Sequence, residues 1–313
     1  MILAFDTSCY TTSLALLDDD GRLLADKRRL LPVEQGACGL RQSDALFKHT
    51  QALPALLKEA LADIPVLKAR VVAASTRPRP RKESYMPVFL AGEQAARLLS
   101  LAWDRPFLAF SHQEGHIAAA LWSMGLDWRE PFLAAHLSGG TSELLLACPK
   151  KGGLELEIVG SSDLPAGQFV DRVGVGLGLP FPAGPALEKL ALGAPASSLR
   201  LKGSVKGAEM SFSGPESAAQ RLIAQGTDGA ALAQAVFVNI GQSLGKALQS
   251  AAKACGCKRA LITGGVAANS LIRARAEQEA SGLDLHFAPP AYAGDNAVGI
   301  AVLAAAERRG AAL

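Results

Sequence analysis

The sequence predicts an α/β protein built as two related lobes around a central cleft. Its 313 residues exceed the usual size of one hydrophobic core. Hydrophobic residues make up 49% of it but aromatics only 5%, with 31 glycines, which suits Ala/Leu/Val-rich helices packed on sheets. The order of strand and helix patterns also runs through once and then begins again.

The first pass opens with a meander of apolar or alternating segments, predicted strands over 2–6, 13–17 and 22–30. Helical spacing follows over 43–61, with Ser43 as its N-cap, then a buried strand over 71–75, a helix over 86–103, a strand over 107–110 and a helix over 116–124. The second pass repeats the meander over 132–137, 143–148 and 154–159. Helices are predicted over 167–177, 185–192, 215–224, 229–255, 268–280 and 296–309, with strands over 259–263 and 283–288.

The repetition reaches individual residues. The run from Ile2 to Ser8 lies over Phe132 to Ser138, and after a gap of one residue Thr12 to Leu17 lies over Thr141 to Leu146. The expected division is 1–115 with 295–313 as the N-terminal lobe and 116–294 as the C-terminal lobe. Two tight hairpins would then face each other across the cleft, where an interdomain ligand is expected.

Charge and cysteine content remove several functions. A formal charge of +3, from 32 Lys and Arg against 29 Asp and Glu, does not announce a strongly basic nucleic-acid binder. The N-terminus has no basic leader, and no apolar run is long enough to span a bilayer, so a cytoplasmic protein without a membrane partner is expected. Five scattered cysteines with no Cys-x-x-Cys pair argue against a disulfide framework and a zinc ribbon.

Six groups of residues could carry chemistry. His112 and His116 are four apart where a strand gives way to a helix, so on a helix both rings stack on one face, within reach of one ion; the alternative is a pair of solvated or hydrogen-bonded histidines. Ser138-Gly139-Gly140-Thr141 suits a phosphate or forms an ordinary hairpin turn. Gly264 and Gly265, with Asn269 after them, follow a buried strand and open a helix, which aims a helix N-terminus at an anion or closes a tight packing turn. Asp171 could accept from ribose hydroxyls, near Gly184 in a Phe-Pro-Ala-Gly-Pro turn, or be solvated; Asp295 is either an N-cap or an oxygen ligand returned to the cleft. Arg77, Arg79, Arg81 and Lys82 form a proline-extended basic row that could meet the phosphates of nucleotide or RNA, or a solvated loop.

Together these segments resemble the TsaD family of tRNA threonylcarbamoyladenosine synthesis, whose older name is glycoprotease or Gcp. Asp6 to Cys9 is similar to the family's opening Glu-Thr-Ser-Cys, and His112 to His116 to its His-Met-Glu-Gly-His. Ser138 to Gly140, Ala166 to Asp171, Phe181 to Pro185, Ser211 to Gly214, Gly264 to Asn269 and Asp295-Asn296 match further family segments. The resemblance implies the duplicated actin-like ATPase fold (ASKHA, RNase H-like). It also implies one divalent metal, iron, zinc or magnesium, on His112, His116 and Asp295. Nucleotide, either ATP or an acyl-adenylate, would contact Ser138, Gly139, Gly140, Asp171, Gly184, Gly264, Gly265 and Asn269.

The implied activity is transfer of a threonylcarbamoyl group from an adenylate to N6 of adenosine 37 in tRNA, or to another amine. The implied partners are tRNA, through the basic row, and a TsaB- or TsaD-like protein or a second copy. Three departures stand out: Tyr10-Thr11-Thr12 replaces the family's Asp-Glu-Thr, Thr141 replaces a histidine, and the basic row with Ser84 to Pro87 replaces Gly-Pro-Gly-Leu. They leave a second reading, a catalytically reduced paralogue that binds nucleotide and metal as a scaffold or regulatory partner of a related transferase. Metalloprotease activity is disfavoured, because His-Gln-Glu-Gly-His is not His-Glu-x-x-His.

Overall fold

The computed structural model describes residues 1–8, 10–33, 39–62, 64, 69–81 and 83–310. Its first sheet is built from β1 (Ile2–Asp6), β2 (Thr11–Leu17), β3 (Leu23–Leu30), β4 (Val71–Arg77) and β5 (Phe107–Ser111), in the order β3-β2-β1-β4-β5. β1, β2 and β3 pair antiparallel, whereas β1, β4 and β5 pair parallel. Helices α1 (Gln42–Leu61) and α2 (Phe89–Ala102) follow β3 and β4, and α3 (His112–Ser123) follows β5 directly.

The second sheet repeats this plan with β6 (Phe132–Leu137), β7 (Ser142–Lys150), β8 (Gly153–Ser161), β11 (Arg259–Thr263) and β12 (Asp284–Phe287), in the order β12-β11-β6-β7-β8. Its first three strands are again antiparallel and its last pairings parallel. Between β8 and β11 lie α4 (Ala166–Gly176), α5 (Gly184–Leu192), the hairpin β9 (Ser204–Lys206) and β10 (Glu209–Ser211), α6 (Ser213–Ala224) and α7 (Gly229–Cys255). A 3-10 turn (Gly265–Ala268) precedes α8 (Ser270–Glu279), and α9 (Pro290–Ala293) and α10 (Val298–Arg309) close the chain.

The central strands β1 and β6 are buried at every position because both faces of each sheet are covered, so they read as continuous apolar runs. The edge strand β3, by contrast, carries Asp26, Lys27, Arg28 and Arg29, and such charges discourage pairing with another chain.

Helix α3 is the layer the two sheets share. Its Ala118 joins β1, β2, β4 and α10 in one core, while Ile117, Ala120 and Leu121 join Phe132, Ala134, Leu145 and Leu261 in another. A helix with apolar surface all round has to be buried on all sides. It begins at His112 rather than at 116, because Ser111 and Glu114 form a capping box: Glu114 N–H donates to Ser111 Oγ, and Ser111 N–H donates to Glu114 Oε2. Two reciprocal bonds therefore fix the turn that carries both histidines.

Helix α10 crosses α3 at near backbone contact. A Cβ on Gly299 would lie 1.8 Å from the Gly115 carbonyl oxygen, and one on Gly115 would lie 2.8 Å from Ile300 Cδ1. Only a glycine pair permits this approach, and it sets the loop before α10 against the start of α3.

Several boundaries differ from those read in the sequence, each for a local reason. Helix α1 begins at Gln42 with no side-chain cap, and Ser43 Oγ donates to Asp44 instead. The 268–280 helix starts at Ser270, since Asn269 caps it by accepting from Ile272 N–H. The hairpin β9–β10, with three residues in each strand, is too short to give a period.

Replacing Gly299 by Ala should cost about 1–3 kcal/mol of stability, as overpacking does. Urea unfolding of the variant checks this, and an unchanged midpoint would contradict the close crossing.

Candidate functional site

Where α3, β1, β6 and the loop before α10 converge, the structure gathers a buried polar cluster. His112 Nδ1 lies 2.7 Å from Asp6 Oδ2 at the end of β1. His112 Nε2 and His116 Nε2 are 3.0 Å apart, and Asp295 Oδ1 lies 3.5 and 3.4 Å from them respectively. The three sequence-predicted ligand residues are thus brought together. The N-cap role belongs to Asn296, whose Oδ1 accepts from Val298 N–H and Gly299 N–H, which leaves the Asp295 carboxylate for the histidines.

Two members of the cluster were missed in the sequence, Asp6 and His136. The ring of His136, at the end of β6, lies 4.5 Å from that of His116 and 6.0 Å from that of His112, centroid to centroid. The internal repeat contains the signal, because it places Asp6 opposite His136 as the matching residue of each central strand.

Electrostatics in the cluster are set by two carboxylates, the buried Asp6 and the partly buried Asp295. Burial lowers the pKa of His112, but the charges of Asp6 and Asp295 and their hydrogen bonds outweigh it and carry it up to about 10. Burial would raise Asp6 and Asp295; their interactions with His112, joined for Asp295 by His116, hold both below the usual carboxylate range. Burial, then the charge on His112, pushes His116 down, and burial with the neighbouring histidines pushes His136 well down.

A divalent cation fits this donor set. Two carboxylates balance its charge, and the mutual separations of 3.0, 3.4 and 3.5 Å approach the ~3.3 Å expected between ligands about 2.0–2.2 Å from a tetrahedral ion. Asp6, bonded to the far nitrogen of His112, holds that ring in orientation. Glu114 stands apart from this chemistry, because both acceptor roles it shows are to Ser111.

Asp295 also lines a cavity of about 390 Å³ in the cleft, with Ser138, Gly139, Asp171, Gly184, Gly265 and Asn269. Gly140 and Gly264 are not among its lining residues. Gly264, with φ of 98°, packs against the backbone of Leu137, where an added Cβ would lie 2.2 Å from the carbonyl oxygen. The 138–141 hairpin is closed by Ser138 N–H donating to the Thr141 carbonyl and is anchored on α4 by Gly167 N–H donating to the Ser138 carbonyl. Asp171 accepts from Ala183 N–H, so it shapes the 181–185 turn; burial raises its pKa against that hydrogen bond. Tyr10 meets Phe181 edge-on across the cavity, with centroids 5.8 Å apart.

The basic row does not project as a free line of charges. Arg79 is paired with the buried Glu143 of β7 at 2.7 Å, and Gln113 Nε2 donates to the same carboxylate. Arg77 is half-buried and Arg81 exposed. The Lys82 member of the row and Cys9 of the opening motif lie outside the described residues. Among the described residues, no helix is long and apolar enough to cross a membrane.

With this geometry in place, the chain can be set beside known proteins. The family model described as "TsaD: tRNA N6-adenosine threonylcarbamoyltransferase" matches residues 39–302. A tRNA N6-adenosine threonylcarbamoyltransferase of Thermus thermophilus is 35% identical over 311 residues, covering 97% of this chain and 91% of that protein. Among solved structures, component A of the Acidaminococcus fermentans (R)-2-hydroxyglutaryl-CoA dehydratase superposes with a TM-score of 0.59 at 14% identity, covering 99% of this chain and 98% of that one. A ROK family glucokinase from Streptomyces griseus superposes with 0.54 at 13% identity, covering 98% and 99%. Such low identities speak to the fold alone, and that fold is the actin-like ATPase fold.

Zinc at about 100 times its Kd should stabilise the protein by about 2.7 kcal/mol over its chelator-treated form, raising Tm by several degrees. Differential scanning calorimetry checks this. His116→Ala should abolish the gain, and a Tm indifferent to zinc in the wild type would contradict a metal centre.

Proposed function

The chain belongs to the tRNA N6-adenosine threonylcarbamoyltransferase (TsaD) family, and from that premise we propose that it transfers a threonylcarbamoyl group from an adenylate to an amine, with N6 of a tRNA adenosine as the acceptor. One observation carries this reading: Asp295 belongs at once to the histidine cluster and to the lining of the 390 Å³ cavity. A nucleotide in that cavity would therefore have its phosphates beside the ion. The volume lies within the range of small-molecule sites.

Roles follow from position. The backbone N–H of Gly139 would receive a phosphate oxygen, as glycine-rich hairpins do, while the N–H of Ser138 closes the hairpin. Asp171 would hold the 181–185 turn and accept from the ribose, while Phe181, Pro182 and Pro185 supply an apolar wall for the base. A divalent ion on His112, His116 and Asp295 supplies a Lewis acid for phosphate or carbamoyl oxygens.

In the transfer, the amine nitrogen bonds to the carbamoyl carbon, that carbon's bond to the phosphate oxygen breaks, AMP leaves and the amine loses a proton. The contact between Tyr10 and Phe181 narrows the cleft and limits water access to a hydrolysable donor. Arg81, exposed next to Lys82 in the sequence, is suited to tRNA phosphate, while Arg79 serves the fold through Glu143. The scaffold reading draws on a different observation: Tyr10 and Thr141 stand where the family resemblance calls for an acid and a histidine.

Reconstitution with threonylcarbamoyl-adenylate and unmodified tRNA separates the two readings. Modified adenosine should form, fall by about 100- to 1000-fold in His112→Ala, and require about 10- to 100-fold more donor in Asp171→Ala, as loss of a charged hydrogen-bond partner predicts. Donor bound tightly with no modified base would overturn the transferase reading and leave the scaffold.

A further inference from the structure

We propose that His136 is a fourth ligand of the metal, so that the ion is held by three imidazoles and one carboxylate drawn from three separate segments of the chain. This rests on the reading of His112, His116 and Asp295 as a metal centre, but it assigns a residue that the family resemblance does not carry over.

His136 is only 3% exposed, and neither of its ring nitrogens has a hydrogen-bond partner among the described residues. A buried polar group left without a partner costs about 1–3 kcal/mol. Nearby acceptors do not relieve it: the oxygens of Glu143, its cross-strand neighbour, accept from Arg79 and Gln113. A metal ion is the partner that would use such a nitrogen, and one ligand atom from each of His112, His116 and His136 can be chosen so that all lie within 4.8 Å of one another.

The placement is rigid. His136 sits on the central strand, in register with Glu143 of β7 on one side and Thr263 of β11 on the other, so ladder bonds on both flanks hold its Cα. The repeat gives it a counterpart, Asp6 of β1, which reaches His112 of α3 from the first sheet. Each lobe thus sends the last part of its central strand to the start of the helix they share.

Two consequences follow. Three nitrogen donors with one carboxylate favour zinc, ferrous iron or cobalt over magnesium, which takes oxygen ligands and keeps its waters. The ion is also tied through β6 to Ser138, two residues further along, so the metal and the nucleotide hairpin share one strand end.

Cobalt substitution of the full-length protein tests the assignment. In His136→Cys loaded with Co²⁺, a thiolate-to-cobalt charge-transfer band should appear in the near ultraviolet, absent from cobalt-loaded wild type, which retains the native cysteines. In His136→Ala, Zn²⁺ affinity measured by chelator competition should fall by more than the ~10–100-fold that loss of a supporting partner costs. Cobalt bound to His136→Cys without the band, together with unchanged zinc affinity in His136→Ala, would overturn the role of His136 alone. Failure of the wild type to bind either ion would overturn this assignment and the metal centre together.

Discussion

Two carboxylates, the buried Asp6 and the partly buried Asp295, meet at the start of one helix, and the arrangement around the cleft follows from the need to neutralise them. Burying an ionised carboxylate costs several kcal/mol unless it is paired and hydrogen-bonded. The charges of Asp6 and Asp295 carry the pKa of His112 up to about 10 against the effect of burial, so that without an ion its imidazolium offsets part of their charge. A divalent ion would take that role instead, with Asp295 as a ligand and Asp6 holding the far nitrogen of His112.

Meeting that requirement from a duplicated fold demands convergence of distant segments. Each sheet has the same order of three antiparallel strands and two parallel additions, so each central strand ends at an equivalent place. The helix between the sheets starts there, its first turn fixed by Ser111 and Glu114, and the Gly115–Gly299 crossing brings the loop of Asp295 to within 3.5 Å of both histidines. Asp295 then presents the cluster to the cavity whose other walls are the 138–141 hairpin and the 181–185 turn. Fold, charge and cleft are in this way joined at one side chain.

Much of this was legible in the sequence, and what was not has physical reasons. The duplication could be read because the meander at 2–30 returns at 132–159 and because the buried central strands are apolar apart from one polar residue near the end of each. His112 and His116 could be read because helical spacing alone places them together. Asp295 came through the family resemblance, since no local pattern distinguishes a ligand from the cap that Asn296 turned out to supply. His136 and Asp6 were hidden inside strand runs, where a polar residue looks like ordinary alternation; only the overlay of one central strand on the other marks them. The basic row misled because spacing shows where charges lie along the chain but not that Glu143, 64 residues beyond Arg79, claims one of them.

Anomalous diffraction from crystals grown with zinc and a non-hydrolysable analogue of threonylcarbamoyl-adenylate would test most directly whether Asp295 joins metal and nucleotide. One strong zinc peak should lie among His112, His116 and Asp295, with the phosphate of the analogue on the Gly139 N–H beside it. A zinc peak elsewhere, or a phosphate bound away from Asp295, would contradict the shared site.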